Sequence, residues 1–133
     1  MTSERSPLEP AGGDASPAGR VLALTRLLRP GEWTTYGDLG AAATGGRFAA
    51  RLVARLAANH PDFANAHRVL GSGGVVVRGP GAEAQARRAR ERLQDEGVPF
   101  RGRAADPACR VTWVELRGRL ADARPEPPGN RDA

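Results

Sequence analysis

Between Ser16 and Pro61 the chain is interrupted at Pro30-Gly31, at Thr44-Gly45-Gly46 and again at Pro61, and in the first and third intervals apolar side chains recur at helical spacing. This punctuation constrains the fold more than any other feature. Pro removes a backbone donor and Gly is a poor helix former, so each interval holds a helix of only a few turns. Ser16 before Pro17 is an N-cap with Pro at the first helical position, and Val21, Leu24 and Leu28 mark one face of a first helix. Trp33-Thr34 is a brief extended piece. Thr35 can cap a second helix over 36 to 43, with Asp38 three residues on reaching back as in a capping box. After the glycine turn, Phe48, Leu52, Val53 and Leu56 form the apolar face of a third helix ending near Asn59. Two short helices about such a turn make a helix-turn-helix.

Charge adds direction to this frame. The formal net charge is +5, and all 20 basic residues are Arg, whose planar guanidinium is a rigid bidentate donor suited to phosphate. On the exposed side of the third helix Arg47, Arg51 and Arg55 are spaced by four, and no acid occurs between Asp38 and Asp62. Ala50, Ala54 and Ala57 lie among them and are small enough to let the helix backbone approach a groove wall. This is the candidate recognition helix.

Further along, His67-Arg68-Val69-Leu70 and Val75-Val76-Val77-Arg78 flank Gly71-Ser72-Gly73-Gly74, a pattern that predicts a two-stranded hairpin, or wing. Ala82, Ala86, Ala89 and Leu93 mark a fourth helix closed by Gly97, with Arg87, Arg88, Arg90 and Arg92 among Glu83, Glu91, Asp95 and Glu96 on a solvated face. Val111-Thr112-Trp113-Val114-Glu115-Leu116 alternates as a strand should. The expected fold is a small α+β winged-helix domain, mostly helical, over 16 to 100. It is followed by an extension over 101 to 116, and flanked by a polar, Pro-rich leader (1 to 15) and tail (117 to 133) expected to be disordered. Cys109 is the only cysteine, which excludes an internal disulfide and a multi-Cys metal site; no metal or other cofactor is expected. Neither a spanning helix nor a signal peptide is visible, so the expectation is a soluble, cytoplasmic, nucleoid-associated protein with no membrane partner.

Four blocks in order carry a family resemblance: Pro30-Gly31-Glu32-Trp33-Thr34-Thr35-Tyr36-Gly37-Asp38-Leu39, Ala49-Ala50-Arg51-Leu52-Val53-Ala54, Asn59, and Ala66-His67-Arg68-Val69. Over roughly residues 20 to 98 the chain resembles the DNA-binding domain of alkylguanine-DNA alkyltransferases. In that family the last block reads Pro-Cys-His-Arg and its Cys accepts the alkyl group. Ala66 stands at the Cys position here and Asn65 at the Pro, so the resemblance is to the alkyltransferase-like branch, which lacks the acceptor.

The resemblance implies a helix-turn-helix at the minor groove, with Arg51 taking the place of a flipped alkylguanine. Tyr36 would meet the phosphate beside the flipped nucleotide, and Arg47, Ala50, Ala54, Arg55 and Arg68 would contact DNA. The lesion pocket would comprise Tyr36, Asn59, Asn65, Ala66, His67 and Glu96, with no catalytic residue. His67 and Glu96 correspond to the relay that draws the proton from the family's cysteine; His67, Glu96 and Asn59 can equally serve hydrogen bonding within the fold, and Arg68 can bind an acid of the fold instead of a phosphate. The implied partner is double-stranded DNA carrying alkylated guanine, bound without alkyl transfer by a monomer and marked for nucleotide excision repair proteins. Two readings stay open beside it: a winged-helix protein for transcription regulation or another modified base, and an alkyltransferase using a different nucleophile. Ala54 stands where the family usually has Gly, a further departure.

Overall fold

The computed structural model describes residues 16–45, 49–76 and 82–123. Among them are five α-helices: α1 (Pro17–Thr25), α2 (Tyr36–Thr44), α3 (Ala49–Asn59), α4 (Glu83–Asp95) and α5 (Trp113–Ala123). Four two-residue strands join them: β1 (Thr34–Thr35), β2 (Val69–Leu70), β3 (Phe100–Arg101) and β4 (Ala104–Ala105). A small, mostly helical α+β fold is what the apolar spacing predicts. The leader (1 to 15) and the tail beyond 123 lie outside the described residues, as do Gly46, Arg47, Phe48, Val77 and Arg78.

Local chemistry starts each of the first helices. Ser16 Oγ accepts from the Gly19 N–H at 3.0 Å and Pro17 opens α1, satisfying one of the orphan donors of the first turn. The α-helix ends at Thr25, and tighter turns carry the chain to Leu28, which still reaches the core with Val21 and Leu24. Thr35 caps α2 by accepting from the Asp38 N–H at 2.9 Å. Asp38 does not reach back as a capping box requires; its buried carboxylate instead takes Arg110 Nη2 at 2.6 Å and Nε at 3.0 Å, a charged donor from the later chain outcompeting a local amide. Gly45 closes α2 in the left-handed region (φ 82°), its N–H bonding Ala41 O at 2.7 Å.

The helix-turn-helix depends on Gly40. A methyl group there would sit 2.8 Å from the Ala49 carbonyl carbon and Cβ, so α2 and α3 cross with backbone nearly against backbone. Val53 of α3 is fully buried, and Leu52 and Leu56 pack beside it against the cluster of Val21, Leu24, Leu39, Val69 and Leu116. A second cluster gathers Trp33, Leu70, Leu93, Val98 and Ala105 under α4.

Two expectations are overturned. Among the described residues the expected hairpin of 67–70 with 75–78 is not formed: His67 and Arg68 lie in a single 3-10 turn (Ala66–Arg68), β2 pairs in parallel with β1 (Thr34↔Val69, Thr35↔Leu70), and Val75 bridges Ala104, while Val77 and Arg78 lie outside the described residues. The antiparallel pair among the described residues is β3 with β4, Phe100 opposite Ala105. The reason is Gly74, at φ 84°, over which the Trp33 ring packs so closely that a Cβ would lie 3.0 Å from it. That approach holds Val75 against Ala104 of β4 instead of against Val69 or Leu70.

The segment 111 to 116 is not a strand, nor is the chain to 123 a structureless tail. Only Val111 pairs in extended form, its N–H bonding Trp33 O at 2.8 Å; the Leu116 N–H already bonds Thr112 O, and helix α5 follows. Leu116 and Leu120, four apart, face the first core, while Trp113 and Val114 stay 42% and 63% exposed. Arg119 of α5 holds Glu32 through Nη1 and Nη2 and donates to Leu27 O at 2.9 Å. The stretch from 101 to 123 therefore contributes to both cores, through Val111 and Leu116 in the first and Ala105 in the second.

Candidate nucleic-acid interface

On α3, Arg51, Ala54 and Arg55 are exposed and Ala50 is half-buried, so the stripe faces outward as its spacing predicts. Neither Arg51 nor Arg55 makes an ion pair or side-chain hydrogen bond among the described residues. Among the described residues nothing competes with an anionic partner for either guanidinium. Arg47, the third member of the stripe, lies outside the described residues.

Beside this helix opens a cavity of about 430 Å³. One wall is Tyr36, at the N-terminus of α2, with Ala57 of α3; the floor is Ala66, His67, Val69 and Leu70; the opposite wall is the face of α4 carrying Gln85, Ala86, Arg88, Ala89 and Arg92. Tyr36 is half-buried against the first core, its hydroxyl has no hydrogen bond among the described residues, and burial pushes its pKa up. It remains a neutral donor able to reach an incoming oxygen.

Behind the floor lies a charged cluster. Glu96 accepts from Arg68 Nε at 3.0 Å and Nη2 at 2.7 Å, and from the Gly31 N–H at 3.0 Å; His67 Nε2 is 2.8 Å from its Oε2. Burial alone would raise the Glu96 pKa, but Arg68, the Gly31 amide and His67 together bring it from its ordinary 4.5 down to about 2. His67 is lowered, first by burial and then by the charges of Arg92 and Arg68, against the upward pull of Glu96. A neutral imidazole facing a carboxylate carries its proton on Nε2, which leaves Nδ1 as an acceptor.

Of the six expected pocket residues, Tyr36, Ala66 and His67 line the cavity and Glu96 stands directly behind His67. Asn65 and Asn59 do not line it. Asn65 adopts φ 54°, and its amide turns inward to donate to Thr25 O at 2.8 Å; Asn59 is exposed and donates to Arg55 O at 3.1 Å. Arg68 was expected at DNA and is instead consumed by the fold, with its side chain only 10% exposed and its third donor on Leu28 O at 3.1 Å. A buried carboxylate and an orphan carbonyl together satisfy the fork of a guanidinium better than solvent does. Arg88 and Arg92, read from sequence as part of a solvated face, belong to the cavity wall. Their spacing with Gln85 and Ala89 marks one helix face, but only packing shows what that face meets. Cys109 sits half-buried on the second core, and burial with the nearby Asp106 charge pushes its thiol pKa up, which favours the protonated thiol.

An exposed arginine-bearing helix in a helix-turn-helix, set beside a cavity floored by a structural Ala-His-Arg turn, defines a DNA-binding helix-turn-helix domain with a side pocket. The chain belongs to the family of the 6-O-methylguanine DNA methyltransferase DNA-binding domain, whose sequence model matches residues 17–98. Among solved structures it is similar to S. pombe Atl1, crystallised in complex with damaged DNA containing O6-carboxymethylguanine, with a TM-score of 0.53 and 28% identity over 64% of this chain and 79% of that one. Family and relative together make it a protein of the alkyltransferase-like type. Among curated proteins none matches.

Proposed function

We propose that this protein binds alkylated guanine in duplex DNA by flipping the base into the cavity beside Ala66, and holds it there without accepting the alkyl group. The observation that carries this reading is the floor of the cavity: the His67–Glu96 pair stands at 2.8 Å, but the residue beside it, Ala66, has no thiol, hydroxyl or amine. A transfer reaction needs a nucleophile at that point. The likeness to Atl1 in complex with a damaged duplex supports DNA carrying an O6-alkylguanine as the ligand. In this reading Arg51 enters the stack where the base leaves, offsetting the few kcal/mol of unstacking, and Tyr36 meets the neighbouring phosphate. Arg55 and Arg47 contribute the salt-dependent grip on the backbone. The bound lesion then serves as a mark for nucleotide excision repair, with the protein acting as a monomer in the cytoplasm.

The test is a titration of the protein against two duplexes identical except for one O6-methylguanine, with intact-protein mass recorded afterwards. Tighter binding of the modified duplex and an unchanged protein mass are expected. Equal affinity for the two duplexes refutes lesion reading, and an alkyl adduct on the wild-type protein refutes the non-enzymatic mechanism.

A further inference from the structure

The α4 wall of the cavity carries a feature that lesion binding as such does not require. Arg88 and Arg92 both line the cavity, are exposed, and form no ion pair or side-chain hydrogen bond among the described residues. They are four apart on one helix face, an arrangement in which two like charges repel. The acids placed to relieve them by sequence, Glu91 three residues after Arg88 and Asp95 three after Arg92, form no ion pair with either. Glu96, the acid nearest the floor, is already held by Arg68, the Gly31 amide and His67. Among the described residues no Asp or Glu lines this cavity, and apart from Arg88 and Arg92 its lining side chains, the neutral His67 included, carry no charge. The cavity thus has two uncompensated guanidiniums on one wall.

Resting on the lesion-binding reading above, we infer that the pocket selects O6-alkylguanines whose adduct ends in an anion, a carboxylate above all, which Arg88 and Arg92 would clasp together. A carboxylate set between two guanidiniums gains charge-assisted hydrogen bonds and removes their mutual repulsion, while a neutral alkyl group of the same length leaves the repulsion in place. The same two arginines can alternatively take a DNA phosphate, the other source of anionic oxygen at this surface.

Three duplexes separate these cases: one with O6-carboxymethylguanine, one with its neutral amide, O6-carbamoylmethylguanine, and one unmodified. Affinities are measured at low and high salt for the wild type and for Arg88→Gln/Arg92→Gln, whose replaced side chains form no hydrogen bond or ion pair among the described residues. The expected result is a preference of about tenfold for the carboxylate over the amide in the wild type at low salt, shrinking as salt screens it and absent in the double variant. The variant should still prefer the amide lesion over unmodified DNA. Equal wild-type affinity for carboxylate and amide, with both above unmodified DNA, overturns the inference and leaves lesion binding standing. An equal loss on all three duplexes in the variant assigns the two arginines to backbone phosphate and also overturns it. If the wild type binds all three duplexes alike, lesion binding and the inference fall together.

Discussion

Replacing Glu96 by Gln removes one charge from a cluster in which it meets four donor groups: two from the Arg68 fork, the Gly31 amide and His67. Glu96 is 15% exposed and Arg68 10%, so solvent can do little to replace what is lost. The fall in the Glu96 pKa from 4.5 to about 2 corresponds to about 3 kcal/mol of preference for the ionised form in the folded state. Glu96→Gln should therefore lower stability at pH 7 by about 3 kcal/mol, at the lower edge of what removing one partner of a buried ion pair costs. For a domain of this size that lowers Tm by roughly 10–20 °C. Because the folded pKa is depressed, this stability is fully present above pH 4.5 and drains away as pH falls toward 2. At pH 3 about 1 kcal/mol of it remains, so the gap between wild type and variant should narrow there. His67, also depressed, adds its own loss as the solution is acidified through and below its ordinary 6.5, so part of the acid sensitivity begins before Glu96 titrates. Urea unfolding followed by circular dichroism at pH 7 and pH 3 measures both quantities. A variant within 1 kcal/mol of wild type at pH 7, or a gap that does not narrow at pH 3, would refute the assignment of Glu96 as the electrostatic hub.

Gly40→Ala should destabilise by about 1–3 kcal/mol despite the better helix propensity of Ala, because the new methyl meets Ala49 backbone at 2.8 Å; thermal melts and DNA affinity check it, and a stabilised variant would sink the close-crossing argument. Asn65→Pro should cost about 3 kcal/mol or more, since Pro needs φ near −65° where Asn65 has φ 54° and since the amide bond to Thr25 O is lost; a folded variant of wild-type Tm would contradict this. Ala66→Cys should acquire slow alkyl transfer, read as adduct mass on the peptide containing position 66 after incubation with alkylguanine duplex, because the new thiol stands next to His67. No adduct despite confirmed lesion binding would show that the flipped base is held in another pose. Arg51→Ala should abolish most of the preference for modified over plain duplex while sparing much of the non-specific affinity; equal losses on both would assign Arg51 to phosphate alone.

The helices α1 to α3 were legible in the sequence because their determinants are local: Ser16 and Thr35 cap within their own first turns, Gly45 adopts the left-handed conformation that ends α2, and Val21, Leu24 and Val53 repeat at helical spacing. Arg51 and Arg55 were legible for the same reason, since a residue on the wet side of an amphipathic helix is exposed by the helix's own geometry. Ala66 declared itself by chemistry, as a side chain with nothing to donate or attack. What the sequence could not settle are choices between partners far apart in the chain. Val69 has the β-branched character of a hairpin strand, yet it pairs with Thr34, 35 positions earlier, while Val75, after the Gly74 on which Trp33 packs, bridges Ala104. Trp113 and Val114 alternate like strand residues, yet the segment coils because Leu116 and Leu120 fill the core only from a helix and Arg119 finds Glu32 from there. Arg68 and Arg88 are the sharpest contrast: the same side chain in the same Arg-rich chain, one consumed by Glu96 and Leu28 O, the other left free on a cavity wall. Local propensity carries no information about which distant carboxylate a guanidinium will meet, and so only the packed structure decides which arginines hold the fold and which remain for a ligand.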